Sequence, residues 1–225
     1  MGSYGLSVTY RLGDAALPPI EQEFPKPVAV LFNPWEGYAG QRDKVYLGNS
    51  TELDEYLVKQ HGYIWKGEYL YDSKGTIDYH SIPWLYDQFR SPQCLNTVLE
   101  FLGGLDVKLR QDPEFVARYF TAIANPSGGG TSGLLYGLWP DDPKDFAPYE
   151  LPWNWRSSGQ IFRQYVKNGQ TSVRYGQCWV FGGVLTSMLR AVGIPARPVT
   201  NFNSAHSTDS RPGQIDKYYF QLISN

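Results

Sequence analysis

The chain has 225 residues and a formal net charge of −2, with 42% hydrophobic and 19% charged residues. This balance is typical of a folded protein, and the length is sufficient for one substantial domain or two small ones. The near-neutral charge gives no reason to expect a nucleic-acid partner, and no apolar run is long enough for a membrane span.

The N-terminal 27 residues contain a strand-like run over 6–12, which is followed by a proline-rich stretch. Residues 28–32, Val-Ala-Val-Leu-Phe, predict a buried strand because all five are apolar. We therefore expect a boundary at this point, with residues 1–27 separate from a core that occupies residues 28–225.

The next predicted elements are short. Residues 50–60 predict a helix with Ser50 as its cap, and residues 63–67 predict a strand. Two further helices are predicted over residues 92–102 and from Asp112 onward. The inward face predicted for the second of these consists of Phe115, Val116, Tyr119, Phe120 and Ile123.

Cys178 begins the clearest helical pattern in the chain, with Gly193 as its C-cap, Pro195 as its stop and Arg190 near the negative end of its dipole. A cysteine on a first turn meets free amide hydrogens and the positive end of the dipole, which favour a thiolate. Cys178 is therefore a candidate nucleophile, although a packing role is the alternative. The apolar positions at helical spacing are Val180, Phe181, Val184, Leu185, Met188, Leu189 and Val192.

The second cysteine, Cys94, lies in an apolar helical pattern and is interpreted as a packing residue. A reduced pair is favoured over a disulfide between Cys94 and Cys178. The N-terminus shows no signal-peptide pattern, so we expect a cytoplasmic protein.

Three runs of residues resemble the animal-type transglutaminases. They are Tyr-Gly-Gln-Cys-Trp-Val-Phe at 175–181, Gly-Ile-Pro-Ala-Arg at 193–197 and Val-Thr-Asn-Phe-Asn-Ser-Ala-His at 199–206. The resemblance covers about residues 28–220 and implies an α/β (α+β) papain-like fold with a central cysteine-bearing helix and an incomplete C-terminal sheet. It also implies that residues 1–27 are a remnant of the family's N-terminal β-sandwich and its linker.

The resemblance implies protein-glutamine γ-glutamyl transfer. Cys178 would attack the γ-carboxamide of a protein glutamine, and a lysine or polyamine amine would take the acyl group from the thioester. Trp139 matches a tryptophan whose indole N–H helps hold the oxyanion, with a core tryptophan as the alternative. Trp179 would line the tunnel by which the acceptor arrives, and Trp155 matches a structural tryptophan.

The family's catalytic histidine and aspartate belong to a segment that these 225 residues do not contain. His206 matches a loop histidine of the family, whereas His61 and His80 match no catalytic position. We therefore expect this polypeptide to be weakly active or inactive alone, because catalytic groups act as a unit. A non-catalytic transglutaminase-like scaffold and a papain-group hydrolase are the alternatives.

The resemblance also implies a calcium cofactor. The family supplies two sets of oxygen ligands, of which this chain retains only Asn125 in the first and only Asp209 in the second. Arg211 places a positive charge within the second set, which disfavours a cation.

Overall fold

The computed structural model describes residues 1–10, 20–69, 77–126, 133–140 and 142–202. Within these residues the fold combines helices with four two-stranded pairings. The mixture of α and β elements agrees with the predicted class.

The N-terminal strands form two antiparallel pairs. Strand β1 (Gly2–Tyr4) pairs with β4 (Val28–Val30), and β2 (Ser7–Tyr10) pairs with β3 (Ile20–Glu23). The predicted burial of residues 28–32 is wrong for β4, because all three of its residues are exposed. Of the five predicted residues only Phe32, two positions after β4, is buried. Its N–H donates to the carbonyl of Val192 at 3.0 Å.

The helix predicted over residues 50–60 is present but irregular. It begins as α1 (Ser50–Leu53) and continues as a π-helical turn over Asp54–Val58. The predicted cap is wrong by one residue, because the Asn49 side chain accepts a 2.8 Å hydrogen bond from the Thr51 N–H. Asparagine is a strong capping residue because its short side chain reaches an unpaired first-turn amide.

A long antiparallel hairpin follows. Strands β5 (His61–Tyr69) and β6 (Ile77–Leu85) have nine residues each, so the strand predicted over residues 63–67 extends in both directions. Their register places Lys66 opposite His80. Since residues opposite each other project to the same face of a hairpin, Lys66 and His80 share one face.

Helix α5 (Cys178–Ala191) lies at the centre of the described core, packed against α2 (Pro92–Gly103), α3 (Pro113–Ala124) and α4 (Ser158–Lys167). Most of its predicted apolar positions are buried, as the pattern required. It ends where Gly193 takes a φ of +87°, and a Cβ at that position would clash with the carbonyl oxygen of Phe32.

Helix α3 confirms its predicted start, because the Asp112 side chain caps it by accepting from the Glu114 N–H. Its inward face is Val116, Phe120 and Ala124. The prediction that Phe115 faces inward is wrong, since that side chain is exposed on the first turn.

A short parallel pair leads directly into α5. Strands β7 (Leu135–Gly137) and β8 (Val173–Gly176) pair with an irregularity between Tyr136 and Gly137. β8 ends at Gly176, and the next residue, Gln177, is the N-cap of α5. The parallel pair therefore fixes where α5 begins.

Arg190, near the other end of α5, is buried. Its guanidinium donates to the carbonyls of Ala196, Lys59 and Glu55 at 2.9, 2.7 and 2.8 Å. These bonds join α5 to the segment that follows it, at Ala196, and to the π-helical segment at Glu55 and Lys59. The predicted interaction of Arg190 with the helix dipole is secondary to them.

In the part of the chain that the structure describes, every helix is too short or too polar to cross a bilayer.

Candidate active site

Cys178 is the first residue of α5, as predicted. Gln177 is the N-cap, with an extended backbone at φ −126° and ψ 179°. The Cys178 side chain is exposed, whereas Cys94 is buried, and both thiols are free. One thiol is thus open to solvent and the other is enclosed in the core.

The backbone around Cys178 leaves hydrogen-bond donors available. The N–H groups of Val180 and Phe181 both donate to the carbonyl of Gln177, at 2.8 and 3.1 Å. Among the described residues, the N–H groups of Cys178 and Trp179 have no acceptor. The first turn therefore presents unused amides together with the positive end of a buried 14-residue helix.

Trp139 lies beside the first turn of α5. Its ring stacks on that of Phe181 with centroids 6.5 Å apart and planes at 22°. Phe181 follows Cys178 by three residues, so the two lie on one face of the helix. Trp139 is 57% exposed, which leaves its indole accessible from solvent. Its role as an oxyanion donor stays a prediction.

Trp155 occupies the structural position expected of it. The side chain is buried, and its indole N–H donates to the carbonyl of Tyr175 at 2.9 Å. Tyr175 precedes Cys178 by three residues, so this bond holds the strand that delivers the cysteine.

Trp179 is 7% exposed, and its indole nitrogen is buried without a hydrogen-bond partner among the described residues. The Nζ of Lys66, from β5, lies 3.4 Å from the centroid of this ring. The predicted tunnel role of Trp179 is not tested by these contacts. The sequence does not predict the position of Lys66 beside Trp179, because no local pattern connects β5 with the start of α5.

A buried hydroxyl network holds α5 in place. The Trp84 indole N–H donates to Ser158 Oγ at 2.9 Å, and Ser187 Oγ lies 2.7 Å from Ser158 Oγ. Ser158 Oγ also donates to the carbonyl of Gly183 at 3.1 Å. These bonds connect β6, α4 and α5, and no local sequence pattern predicts them.

Cys94 confirms its predicted packing role. Burial raises the pKa of its thiol, with a smaller contribution from the negative charge of Asp87. Its sulfur lies 4.0 Å from the carbonyl oxygen of Ser187, within the core. Of the two thiols, that of Cys94 is therefore protected and that of Cys178 is accessible.

The predicted calcium ligands are only partly within the described residues. Asn125 is the half-buried C-cap of α3, and Asp209 lies outside the described residues, as does His206. In the described ranges no group of three or more His, Cys, Asp or Glu side chains converges. Ca²⁺ binds six to eight oxygens, and the acidic side chains of the described residues do not by themselves supply such a cluster.

The two described histidines lie on the hairpin. His61 begins β5 and His80 lies within β6, and both are exposed. Neither side chain forms a hydrogen bond with Cys178 among the described residues.

A mixed α and β core, with an exposed cysteine on the first turn of a central buried helix, defines the papain-like class of thiol proteins. Comparisons with known proteins specify the family. Residues 156–221 match the model of the transglutaminase-like superfamily. The crystal structure of red sea bream transglutaminase matches with a TM-score of 0.60 at 32% identity, over 79% of this chain and 24% of that one.

Curated relatives agree. The chain is 37% identical to protein-glutamine gamma-glutamyltransferase E of Bos taurus, over 86% of this chain and 27% of the relative. It is 36% identical to protein-glutamine gamma-glutamyltransferase 2 of Pagrus major, over 93% of this chain and 29% of the relative. The chain thus spans between a quarter and a third of the length of these relatives. It belongs to the transglutaminase-like superfamily.

Proposed function

We propose that the chain contributes the nucleophile for acyl transfer from protein glutamine to amines, with Cys178 as the attacking group. The observation that supports this most is the exposed thiol on the first turn of α5, beside two backbone amides that have no acceptor among the described residues. The matched relatives carry the name of this activity, protein-glutamine gamma-glutamyltransferase.

The chemistry proceeds in two stages. The Cys178 sulfur attacks the carbonyl carbon of the glutamine γ-carboxamide, and the charge that develops on the oxygen is stabilised by the first-turn amides. The C–N bond then breaks, and its nitrogen takes the proton that the thiol has given up and leaves as ammonia. In the second stage an amine nitrogen attacks the thioester and the C–S bond breaks. An amide forms, and the proton that the amine loses returns to the departing sulfur.

The aromatic side chains around the first turn favour aminolysis over hydrolysis. Trp139 and Phe181 stack on one side of it, while Trp179 is buried on another. Once a bound substrate covers the exposed ring of Trp139, apolar walls of this kind would exclude water while the thioester waits for an amine. Protein glutamines are the proposed donors, and lysine side chains or polyamines the proposed acceptors.

Proton transfer limits the activity that we propose for this polypeptide alone. Neither His61 nor His80 bonds to Cys178 in the described part of the chain. A thiol without a positioned base loses several orders of magnitude in rate. We therefore propose slow acyl transfer by the 225-residue chain.

Calcium dependence and a cytoplasmic location are two further parts of the proposal. The first is proposed from the resemblance to the family, and the second from the N-terminal sequence.

A fluorescent-amine incorporation assay tests the proposal. The purified chain is incubated with a glutamine-rich protein and dansylcadaverine, with and without calcium chloride, beside the Cys178→Ala and Cys94→Ala variants. We expect slow incorporation that Cys178→Ala abolishes and Cys94→Ala retains. Incorporation that is absent from all folded samples would support the scaffold alternative. Cleavage of the protein without incorporation would support the hydrolase alternative.

A further inference from the structure

A polar cavity lies beside the C-terminal end of α5, at the opposite end of this helix from the candidate nucleophile. Its volume is about 290 Å³, which is at the lower limit of the usual range for ligand sites. We therefore expect a small occupant. The side chains on its walls that carry charge or a buried hydroxyl are those of Glu55, Lys59, Tyr86, Arg190 and Arg197.

The charges on the walls of this cavity do not balance. Among the described residues, Glu55 supplies the one carboxylate on the walls, at 3.3 Å from Lys59 and 3.6 Å from Arg197. The partners of Arg190 are three carbonyl oxygens, which carry no net charge. With the exposed His61 left aside, three positive charges thus face one negative charge, and two are in excess.

The buried guanidinium of Arg190 keeps donors for a ligand. A guanidinium has five N–H groups and stays protonated in proteins. Three of those of Arg190 donate to the carbonyls of Ala196, Lys59 and Glu55. Two N–H groups therefore remain on a side chain that lines the cavity and is only 2% exposed.

The phenol of Tyr86 supplies a second buried donor. Its ring centroid lies 4.5 Å from Cζ of Arg190, and its hydroxyl has no hydrogen-bond partner among the described residues. Burial raises the pKa of Tyr86, although the charge of Arg190 opposes this, so the hydroxyl stays protonated at neutral pH. Gly62, also on the wall, leaves space beside it, since a Cβ there would lie 3.2 Å from the hydroxyl oxygen.

We propose that this cavity binds a dianionic phosphate, either the free ion or the phosphate group of a small ester. A dianion matches the two positive charges in excess, and its oxygens accept several hydrogen bonds at once. Arginine N–H groups bind phosphate oxygens in pairs, which suits the free donors of Arg190. Tyr86 donates from beneath, and the more exposed Arg197 adds charge at the mouth. The inference is independent of the proposed function, because none of these side chains belongs to the candidate active site.

The ³¹P NMR linewidths of inorganic phosphate and of glycerol 3-phosphate test the proposal. Each is titrated with the purified chain at low ionic strength and about pH 8, where both are mainly dianions. We expect the chain to broaden at least one of the two resonances, and the tighter ligand distinguishes a free ion from an ester. No broadening of either resonance by the folded chain would overturn the inference.

Two substitutions in the cavity should weaken binding. Tyr86→Phe keeps the buried ring and removes the hydroxyl, so we expect about tenfold lower affinity, as for one hydrogen bond to a charged group. Arg197→Gln removes one positive charge and should lower the affinity by about fivefold. Tyr165→Phe, at a buried tyrosine outside the cavity, and Arg118→Gln, at an exposed arginine on α3, are matched controls that should keep the affinity.

Glu55→Gln should have the opposite effect. It removes the carboxylate that competes with phosphate for Lys59 and Arg197, so we expect the affinity to rise by about fivefold. Glu114→Gln, at an exposed glutamate of α3, should leave it unchanged. Near-ultraviolet circular dichroism confirms that each variant is folded. Unchanged affinity of a folded Tyr86→Phe variant, or unchanged or weaker binding by a folded Glu55→Gln variant, would overturn the inference.

Discussion

The side-chain amide of Gln177 donates a 3.2 Å hydrogen bond to the carbonyl of Leu138. Gln177 is the residue before Cys178, and Leu138 is the residue before Trp139. This single bond therefore connects the segment that carries the candidate nucleophile with the segment that carries the candidate oxyanion donor.

Replacing Gln177 by Ala should loosen this connection. We expect a loss of about 1 kcal/mol in the free energy of unfolding, the usual net value of one hydrogen bond, and a changed rate of Cys178 alkylation. Urea unfolding and iodoacetamide labelling measure the two effects. Gln164→Ala, which removes only an exposed bond to Asn168, is the control. If both variants matched the parent chain in stability and labelling, Gln177 would not position the site.

Arg190→Met should strongly destabilise the fold. Burial lowers the pKa of Arg190, while Tyr86 and Glu55 oppose that shift. The variant removes three partly buried hydrogen bonds, and among the described residues only the Lys59 carbonyl keeps a second donor, the Gln88 side-chain amide. We expect a loss of about 3–5 kcal/mol in the free energy of unfolding. Arg118→Met, which removes an exposed arginine 3.8 Å from Glu114, should cost less than about 0.5 kcal/mol. Equal chemical-denaturation midpoints for the two variants would contradict the structural role of Arg190.

Cys94 should make the stability of the protein fall with alkaline pH. Its pKa is raised by burial above the ordinary value of 9.0, so above this pH the folded chain binds more protons than the unfolded one. The stability that the protonated Cys94 thiol contributes is therefore complete below pH 9.0. It is lost as the pH rises from 9.0 toward the higher pKa of the folded chain. The Cys94→Ala variant should show a shallower decline, by up to about 1.4 kcal/mol per pH unit. Identical slopes in urea titrations of the two proteins would rule this linkage out.

Gly176→Ala should destabilise the strand that delivers Cys178. A Cβ at this position would lie 2.9 Å from Leu135 Cγ and still closer to one of its methyl groups, inside the parallel pair. Overpacking of this kind costs about 1–3 kcal/mol. Gly182→Ala, in α5, is the matched comparison, because its Cβ meets only Pro198 at 4.0 Å and alanine favours a helix. Thermal unfolding should rank Gly182→Ala above Gly176→Ala, and the reverse order would contradict the packing described.

The sequence predicts α5 well because two independent signals agree there. The apolar spacing defines its buried face, and Gly193 fixes its end through a backbone conformation that favours glycine. The placement of Cys178 on the first turn follows from the same pattern. The apolar spacing and the first-turn position of Cys178 thus predict the nucleophile without any knowledge of tertiary contacts.

Other features depend on contacts between distant segments and could not be predicted. Val28 and Val30 are apolar but exposed, because the described residues leave both side chains of the two-stranded β1–β4 pairing uncovered. Arg190 gives no sequence signal for burial, since two of the three carbonyls that it binds, those of Glu55 and Lys59, belong to residues far along the chain. Lys66 reaches Trp179 only because the fold packs β5 against α5.

The most direct measurement is the intact mass of the protein after incubation with a glutamine-containing peptide and no amine. We predict slow appearance of an adduct that equals the peptide minus ammonia, its release by hydroxylamine, and its loss in Cys178→Ala but not in Cys94→Ala. No adduct on the folded chain after prolonged incubation, or an adduct that persists in Cys178→Ala, would contradict Cys178 as the acyl-accepting nucleophile.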